Sequence, residues 1–443
     1  MARTRMTKLE PTGHFAPQGM MAAPETRRLF SVLAQQGGTA RFVGGCVRDA
    51  LLARDLVDVD IACDLKPEST MAALKDAGIR VIPTGLQHGT ITAIINDYSY
   101  EVTTLRVDVK TDGRHADIAF TENWLLDAKR RDFTFNALYA DIDGTLYDPF
   151  HGEADLRIGK VRFIGVAEER IAEDYLRILR FFRFFAHYGR PPIDPIGAEA
   201  CRKGVPGLHD ISSERIRDEM IKLLRAKSPA ATIADMIGFS VLPPILPELV
   251  NVARLRIVEW LETSALQDAA ISIDPLRRMA ALFVTDKNGN DAIAHAAQFA
   301  RSLRLSNDEI ERFSLMCVSH HLIDNGMDAR RIRRHLYHMG APAFRDAVIM
   351  AWATHTTRSG RVMSGENRRW QDMLDVANGW QPCELPVKGR DILQAKLVPA
   401  GPDVGALLRR AEEYWLENDM QPDHDMLMDY LAAHVAGSSR EMK

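Results

Sequence analysis

Two aspartates separated by one residue are the strongest chemical feature of this sequence. Asp58, Val59 and Asp60 lie in the run DVDIA, whose apolar and β-branched residues predict a strand over 58–62. Alternate residues of a strand share a face, so the two carboxylates would project side by side and Val59 would face the opposite way. Like charges at this spacing repel unless a cation lies between them, and Mg²⁺ favours such oxygen ligands together with substrate phosphates. A solvent-exposed acidic strand would show the same spacing.

A glycine pair and an arginine precede these carboxylates. Gly44 and Gly45 follow the predicted strand TARFV (39–43) and open a predicted helix over 46–52. Paired glycines let the backbone approach a ligand closely, a helix N-terminus offers N–H groups to phosphate, and Arg48 would add a cation for a triphosphate. A plain tight turn and an Arg48–Asp49 ion pair are the alternatives. The combination favours a nucleotide site in which the Asp58/Asp60 pair holds two metals for in-line attack on phosphorus.

A later helix carries charges at three-residue spacing. Asp174, Arg177, Arg180 and Arg183 recur through EDYLRILRFFRFFAHY, and phenylalanines interleave with them. A solvated charged face is one reading; the interleaved aromatics favour a half-buried helix whose charges face a ligand. A carboxylate that accepts and a guanidinium that donates would pair with cytosine and adenine and reject guanine and uracil. Asp174 with Arg177 could therefore select CTP and ATP, while Arg180 and Arg183 hold the nucleotide or order the site.

The elements that would position these residues change in type along the chain. Short strands, a helix from about Pro67, and hairpins at Asn96-Asp97 and Asp143-Gly144 predict an α/β head. After about residue 165 helical periodicity replaces the strand-like runs. We therefore predict an α/β head followed by an all-α neck, body and tail. The predicted divisions are a mobile leader (1–23), the head (24–150), a helical neck (151–230), and a helical body and tail (231–443).

Six stretches together resemble a known family. RFVGGCVRDALLARDLVDVDIA resembles the signature of class II nucleotidyltransferases of the polymerase-β superfamily, which comprise tRNA CCA-adding enzymes and bacterial poly(A) polymerases. The further matching stretches, in the family's order, are PTGLQHGTITAII (83–95), YEVTTLR (100–106), DGRH (112–115), RRDFTFNAL (130–138) and EDYLRILRFFRF (173–184). The resemblance covers roughly residues 38–225, and the last 200 residues or so show no comparable match.

The resemblance implies a mixed β-sheet nucleotidyltransferase fold for the head, and it implies roles for individual residues. Asp58 and Asp60 would bind Mg²⁺, and Glu101 is a candidate third carboxylate, or else a strand residue paired with an arginine. An arginine of the RRD stretch would bind nucleotide; we favour Arg131 over Arg130, and the alternative is a helix start capped by Asp132. The remaining implied roles are triphosphate contacts by Gly44, Gly45 and Arg48, base selection by Asp174 and Arg177, nucleotide contacts by Arg180 and Arg183, and a flexible loop with Asp112 and Arg114.

The implied activity is addition of CCA to the 3′ end of tRNA from CTP and ATP, with release of diphosphate. The stretch after the aspartates, IPTGLQHGT, has the CCA-like form, and retention of DGRH favours full CCA addition over CC addition alone. The alternatives are a poly(A) polymerase, a partial CC- or A-adding enzyme, and a non-enzymatic RNA-binding protein. The body would grip tRNA, and Arg330, Arg331, Arg333 and Arg334 are candidate phosphate contacts, with a solvated helix face as the equal alternative.

The composition of the chain excludes several classes of protein. The 443 residues include 56 basic and 60 acidic ones, a net charge of −4, so the chain does not coat nucleic acid by bulk charge and any RNA contact uses local patches. The five cysteines are scattered without a CxxC pair, which predicts reduced thiols in the cytoplasm. No apolar run reaches the length of about 18 residues that a membrane helix needs. The pattern does not indicate an oligomeric state.

Overall fold

The computed structural model describes residues 9–56, 58–111, 116–266, 270–360 and 364–441. The chain forms two compact units, Met1–Val250 with Ser302–Arg304, and Asn251–Arg301 with Leu305–Lys443. This division falls at Val250, whereas we predicted that the body begins at residue 231. The difference arises because a helix over Pro229–Gly238 packs against the arginine-rich helix of the first unit.

A mixed sheet forms the centre of the first unit, as predicted. Its strands run in the order β1-β10-β9-β2-β3-β6-β5-β4; β3 and β6 are parallel and the other neighbours are antiparallel. The strands are β1 (Gly13–His14), β2 (Ala40–Val43), β3 (Val59–Cys63), β4 (Arg80–Gly85), β5 (Thr90–Ile95), β6 (Tyr98–Thr104), β9 (Tyr139–Ala140) and β10 (Thr145–Tyr147), while β7 (Arg106–Thr111) and β8 (Ala116–Phe120) form a separate hairpin.

The expectation of a mobile leader over 1–23 is wrong for the part that the structure describes. Gly13 and His14 pair with Leu146 and Thr145 of β10 at the edge of the sheet. Met21 is fully buried. Edge pairing satisfies backbone groups and burial of a methionine side chain stabilises the fold, so residues 13–22 belong to the head.

The described part of the first unit contains ten α-helices in addition to the sheet. Those of the head are α1 (Pro24–Gln35), α2 (Gly45–Leu51), α3 (Pro67–Asp76), α4 (Trp124–Lys129) and α5 (Gly152–Ile158); α6 (Ala167–Glu173), α7 (Leu176–Tyr188), α8 (Pro195–Gly204), α9 (Ser213–Leu224) and α10 (Pro229–Gly238) follow. The phenylalanines of α7 are buried, and Phe181 stacks on Phe163 with ring centres 5.5 Å apart. This packing fixes which face of α7 turns its arginines outward.

The described part of the second unit is helical, as predicted. Its helices are α11 (Val252–Trp260), α12 (Pro275–Leu282), α13 (Gly289–Ser302), α14 (Asn307–Val318), α15 (Ala329–Ser359), α16 (Ser364–Asn378), α17 (Gly389–Gln394), α18 (Pro402–Glu417) and α19 (His424–Glu441). A π-helical turn (Leu261–Ala265) extends α11, and α15 is kinked at Gly340, whose φ is 75°. No helix within the described ranges is long and apolar enough to cross a membrane.

Candidate nucleotide-binding site

Three carboxylates converge at the parallel strand pair of the sheet. Asp60 on β3 is in register with Glu101 on β6, and residues paired in this way share a face of the sheet. Asp58 lies just before β3 and is exposed. Burial raises the pKa of Asp60, and the charges of Glu101 and Asp58 raise it further against the opposing effect of Arg131 and Arg48. A cation at this point would relieve the repulsion.

The donor set fits a hard divalent cation that shares its coordination with substrate. Carboxylate oxygens are the ligands such ions favour, and Mg²⁺ in particular retains water and substrate oxygens. Across the residues that the structure describes, no three His, Cys, Asp or Glu side chains form a closed metal site.

A cavity of about 650 Å³ opens beside Asp60 and gathers nine of the residues that the sequence predicted. The predicted residues in its lining are Gly44, Gly45, Arg48, Asp60, Arg130, Arg131, Asp174, Arg177 and Arg180. Asp58, Glu101 and Arg183 are absent from this lining. The positions of Asp112 and Arg114 fall outside the described residues.

The turn between β2 and α2 places Arg48 in this lining. Gly44 has a φ of 69°, and a Cβ there would lie 3.4 Å from the guanidinium of Arg131, so the turn requires glycine. Arg48 donates from Nε and Nη2 to the Asp49 carboxylate at 3.1 and 2.9 Å, and from Nη1 to Asn136 Oδ1 at 2.8 Å. The predicted alternative of an Arg48–Asp49 ion pair is thus present, and it holds Arg48 at the cavity.

The RRD stretch is organised by a buried aspartate outside it. Asp127, 1% exposed, accepts from Arg130 Nε at 2.8 Å, from Arg131 Nη2 at 3.2 Å and from the Tyr139 hydroxyl at 2.7 Å. Burial alone would raise the pKa of Asp127, but Arg131 and Arg130 overcome it and lower the value to about 2. Both arginines line the cavity, and the charge of Arg131 also acts on Asp60. Of the two arginines, Arg131 is therefore the one whose charge acts on Asp60.

Asp132 links Arg180 to Arg48 in a second buried hydrogen-bond network. It accepts from Arg180 Nε at 2.8 Å and from Asn136 Nδ2 at 2.9 Å, while Asn136 in turn accepts from Arg48. Its pKa falls to about 2, because Arg180 and these hydrogen bonds outweigh the effect of burial. Asp132 also accepts from the Phe133 amide at 2.9 Å, but the 3₁₀ helix that follows (Thr134–Asn136) has no side-chain cap, so Asp132 does not cap a helix start as the alternative supposed. Asp132 thus fixes two cavity arginines as well as a turn.

Asp174 and Arg177 both line the cavity, and each already has protein partners. Asp174 accepts from Arg215 Nη2 at 2.8 Å and from the Leu176 amide at 3.1 Å. Arg177 Nη1 donates to the Arg170 carbonyl at 2.7 Å and to the Glu173 carboxylate. These contacts orient the two side chains independently, so the pair is prepared as one acceptor and one donor.

Several predicted residues lie elsewhere. Arg183 forms an ion pair at 2.6 Å with Glu219 of α9, and its guanidinium lies 4.2 Å from the centre of the Phe184 ring. Glu219 therefore holds Arg183 outside the cavity lining.

The four body arginines do not form one free stripe. Arg333 donates to the Asp419 carboxylate, with Nε at 2.8 Å, and Arg330 Nε donates to the Leu416 carbonyl at 3.5 Å. Arg331 reaches Asp324 at 3.2 Å, while Arg334 is exposed. Arg333 and Arg330 therefore contribute to the packing of α15 against the α18 end, which corrects the expectation that all four contact phosphate.

Sequence reasoning missed the partners of the cavity arginines. Asp127 stands three and four residues before Arg130 and Arg131, a helical spacing that could have indicated it. Arg215 and Arg106, which also line the cavity, come from distant segments and gave no local signal. Arg106 Nη1 donates to the His88 carbonyl, and burial together with Arg130 lowers the pKa of Arg106 to about 10.

A carboxylate pair on a mixed sheet, beside an arginine-lined cavity, defines a nucleotidyltransferase. Residues 40–162 match the family model described as the poly A polymerase head domain, and residues 192–252 match the probable RNA and SrmB-binding site of polymerase A. The chain belongs to the CCA tRNA nucleotidyltransferase family, as its 34% identity to a member of that name over 88% of this chain shows.

Similar proteins span nearly its whole length. The mitochondrial CCA tRNA nucleotidyltransferase 1 of Danio rerio is 34% identical over 88% of this chain and 86% of its own, and the human protein of that name is 32% identical over 93% and 92%. The crystal structure of the Bacillus stearothermophilus CCA-adding enzyme in complex with CTP is 25% identical, with a TM-score of 0.75 over 96% of this chain and 100% of that one. The Thermotoga maritima CCA-adding enzyme complexed with tRNA, at 17% identity and a TM-score of 0.61, shares the fold.

Proposed function

We propose that this chain adds C, C and A to the 3′ end of tRNA from CTP and ATP, without a nucleic-acid template, and releases diphosphate. The single observation that carries the proposal is that one cavity unites Asp60 with Arg48 and Arg131 for phosphate and with Asp174 and Arg177 for the base. A cavity of this composition can select a nucleotide and present its α-phosphate to a hydroxyl in the same place.

Asp58 and Asp60 would hold Mg²⁺, with Glu101 as the neighbouring carboxylate. When bound, the metal ions would make the 3′-hydroxyl of tRNA more acidic and stabilise charge on the α-phosphate and the leaving diphosphate. The raised pKa of Asp60 supports this role, because a carboxylate that is crowded by like charges gains from a bound cation. Gly44 and Gly45 leave room at the turn, and Arg48 and Arg131 would bind the triphosphate.

Base selection would follow from donor and acceptor order. Cytosine presents the N4 donor beside the N3 acceptor, and adenine presents the N6 donor beside the N1 acceptor. The Asp174 carboxylate would accept from the exocyclic amine, and Arg177 would donate to the ring nitrogen. Guanine and uracil present the reverse order, so the Asp174 acceptor would face an acceptor of the base and the Arg177 donor would face a donor, and both bases would be rejected.

We also propose that the protein works in a reducing compartment, with the cytoplasm as our choice. All five cysteines are free, and four of them are buried. Burial raises the pKa of the Cys46 and Cys63 thiols to about 12, which suits unreactive, reduced side chains. The relatives from Danio rerio and human are named as mitochondrial proteins, so fluorescence microscopy of the full chain fused to a reporter would decide between these compartments.

The activity test uses tRNA transcripts that end before the CCA, after the first C and after the second C. Each is incubated with CTP, with ATP and with both, and the products are resolved at single-nucleotide length and sequenced. Full CCA addition predicts CC from CTP alone on the shortest transcript and completion by ATP only after both cytidines. A long ladder of A on unrelated RNA would instead show a poly(A) polymerase, the activity of the family for which the head model is named.

A further inference from the structure

Tyr188, the last residue of α7, packs between Arg48 of α2 and Arg54, which follows α2. The Arg48 guanidinium carbon is 4.2 Å from the centre of the Tyr188 ring, and that of Arg54 is 4.5 Å from it. The Tyr188 hydroxyl donates to Asp49 Oδ1 at 2.9 Å. Residues 48–54 therefore contact both the ring and the hydroxyl of a single side chain.

These contacts complete the fixation of Arg48. Its Nε and Nη2 donate to Asp49, and Nη1 donates to Asn136, while Tyr188 covers the guanidinium and also holds Asp49. A long arginine side chain loses rotamer freedom when it binds a ligand, and packing against an aromatic face lowers that loss by fixing the side chain beforehand. Two aromatic residues of α7 contribute to this set: Tyr188, and Phe184, whose ring centre lies 5.4 Å from the Arg48 guanidinium carbon.

We propose that Tyr188 is a positioning residue for the triphosphate: it holds Arg48, directly through its ring and indirectly through Asp49, in the orientation that binds phosphate. The inference rests on the proposed contact of Arg48 with the triphosphate. Because α7 also carries Arg177 and Arg180, Tyr188 joins the helix that reads the base to the turn that binds the phosphates. The turn that binds the phosphates and the helix that reads the base are therefore fixed relative to each other before the nucleotide binds.

Arg54 supports this arrangement from the far end of the segment. Its Nη2 donates to the His187 carbonyl at 3.0 Å, and its backbone amide donates to the Asp49 carbonyl at 2.9 Å. The chain thus turns back after α2 and closes around the end of α7. These two hydrogen bonds fix Arg54 beside the Tyr188 ring, which the filling of space alone would not require.

The test is a double-mutant cycle between Tyr188→Leu and Arg48→Ala in the full-length protein, with Tyr188→Phe as the milder variant. We expect Tyr188→Leu to raise KM for CTP and ATP about 5- to 30-fold and to change kcat much less. Inhibition by inorganic diphosphate, which carries phosphate without a base, should weaken in parallel. Tyr188→Phe, which keeps the ring, should give a smaller rise of about 2- to 5-fold.

In the Arg48→Ala background, Tyr188→Leu should raise KM by no more than about twofold, since the group that it positions is gone. Equal effects of Tyr188→Leu with and without Arg48, or unchanged diphosphate inhibition, would overturn the positioning role. If Arg48→Ala itself leaves KM unchanged, the proposed phosphate contact fails first, which separates the two claims. Tyr98→Leu, at a tyrosine of β6 that is 38% exposed, is the matched control and should leave KM unchanged; melting curves show which variants remain folded.

Discussion

At the scale of single residues, the cavity depends on acids that hold its arginines in place. Asp127 fixes Arg130 and Arg131, and Asp132 fixes Arg180 and, through Asn136, Arg48. Removing one member of such a buried pair leaves an uncompensated charge, which costs more than the pair itself contributes. The acids therefore set the geometry of the cations that are available to a triphosphate.

The depressed pKa of Asp127 gives a pH dependence of stability. Its pKa falls from 3.8 to about 2 on folding, so ionised Asp127 stabilises the fold fully above about pH 4 and this contribution is lost as pH falls toward about 2. Asp127→Asn should lower the free energy of unfolding by about 2 kcal/mol at about pH 6, and the difference should shrink toward about pH 2. Urea unfolding at several pH values measures it; Asp97→Asn, in an exposed turn, is the control, and a pH-independent difference would contradict the assignment.

Base selection is tested by Asp174→Ala. Loss of the acceptor should raise the incorporation of GMP and UMP relative to CMP at least about 10-fold, because the amine of cytosine then loses its specific partner. Competition assays with mixed nucleotides on tRNA that lacks its 3′ end measure the ratio. Asp235→Ala, on α10 outside the cavity lining, should leave the ratio unchanged. Undiminished rejection of GTP and UTP by Asp174→Ala would count against the base-reading role.

At the scale of elements, α7 combines two functions on opposite faces. One face buries the aromatic side chains of the core, and the other presents Arg177 and Arg180 to the cavity. Arg183, one turn further, pairs with Glu219 and links α7 to α9. Residues three apart shift gradually around a helix with a period of 3.6, so this spacing places Arg177 and Arg180 at the cavity and Arg183 at a helix–helix contact.

Arg183 and Arg180 should consequently respond differently to substitution. Arg183→Met leaves Glu219, with a side chain 4% exposed, without its close partner and should lower the free energy of unfolding by about 2 kcal/mol. KM for CTP should change by less than about twofold. Arg180→Met should instead raise KM, since Arg180 lines the cavity. Denaturation curves and initial rates compare the two variants; the opposite order of effects on KM would show that Arg183 contacts nucleotide.

Local sequence patterns predicted the secondary structure best where a short run of residues is typical of a single kind of strand or turn. The Gly44-Gly45 turn, the DVDIA strand and the hairpins around Asn96-Asp97 and Asp143-Gly144 are all present, with β3 beginning one residue later than predicted. The contacts of Arg215 with Asp174 and of Tyr188 with Asp49 join residues far apart in the chain. These contacts depend on how α2, α7 and α9 pack together, and the periodicity of a short stretch of sequence does not predict that packing.

At the scale of the whole molecule, the two compact units use buried charge in different ways. In the second unit, Glu262 accepts from Arg277 Nε at 2.8 Å and from Arg278 Nε at 2.6 Å, and its side chain is fully buried. Arg277 also pairs with Asp346 at 2.8 Å. This network joins the π-helical turn, α12 and α15 within one unit, so we expect it to stabilise that unit's fold rather than the chemistry.

Glu262→Gln tests that separation. It leaves two buried arginines undercompensated and should lower the free energy of unfolding of the second unit by about 3 kcal/mol. Five of the six tryptophans lie in that unit and only Trp124 lies in the first, so tryptophan fluorescence reports its unfolding. CTP affinity, measured by equilibrium dialysis, should be retained. Glu384→Gln, in an exposed pair with Lys388, is the control; an equal loss in both variants would contradict a special role for Glu262.

The central claim is that Asp58 and Asp60 activate nucleotide transfer at the tRNA 3′ end in the cavity described above. The most direct test measures labelled CMP incorporation into tRNA that lacks its CCA, for the unaltered protein and for Asp60→Ala, together with tRNA retention on a filter. Asp97→Ala serves as the matched control. We predict that Asp60→Ala loses incorporation by about 1,000-fold or more while tRNA retention is unchanged. Incorporation by Asp60→Ala at the rate of the control would contradict the account.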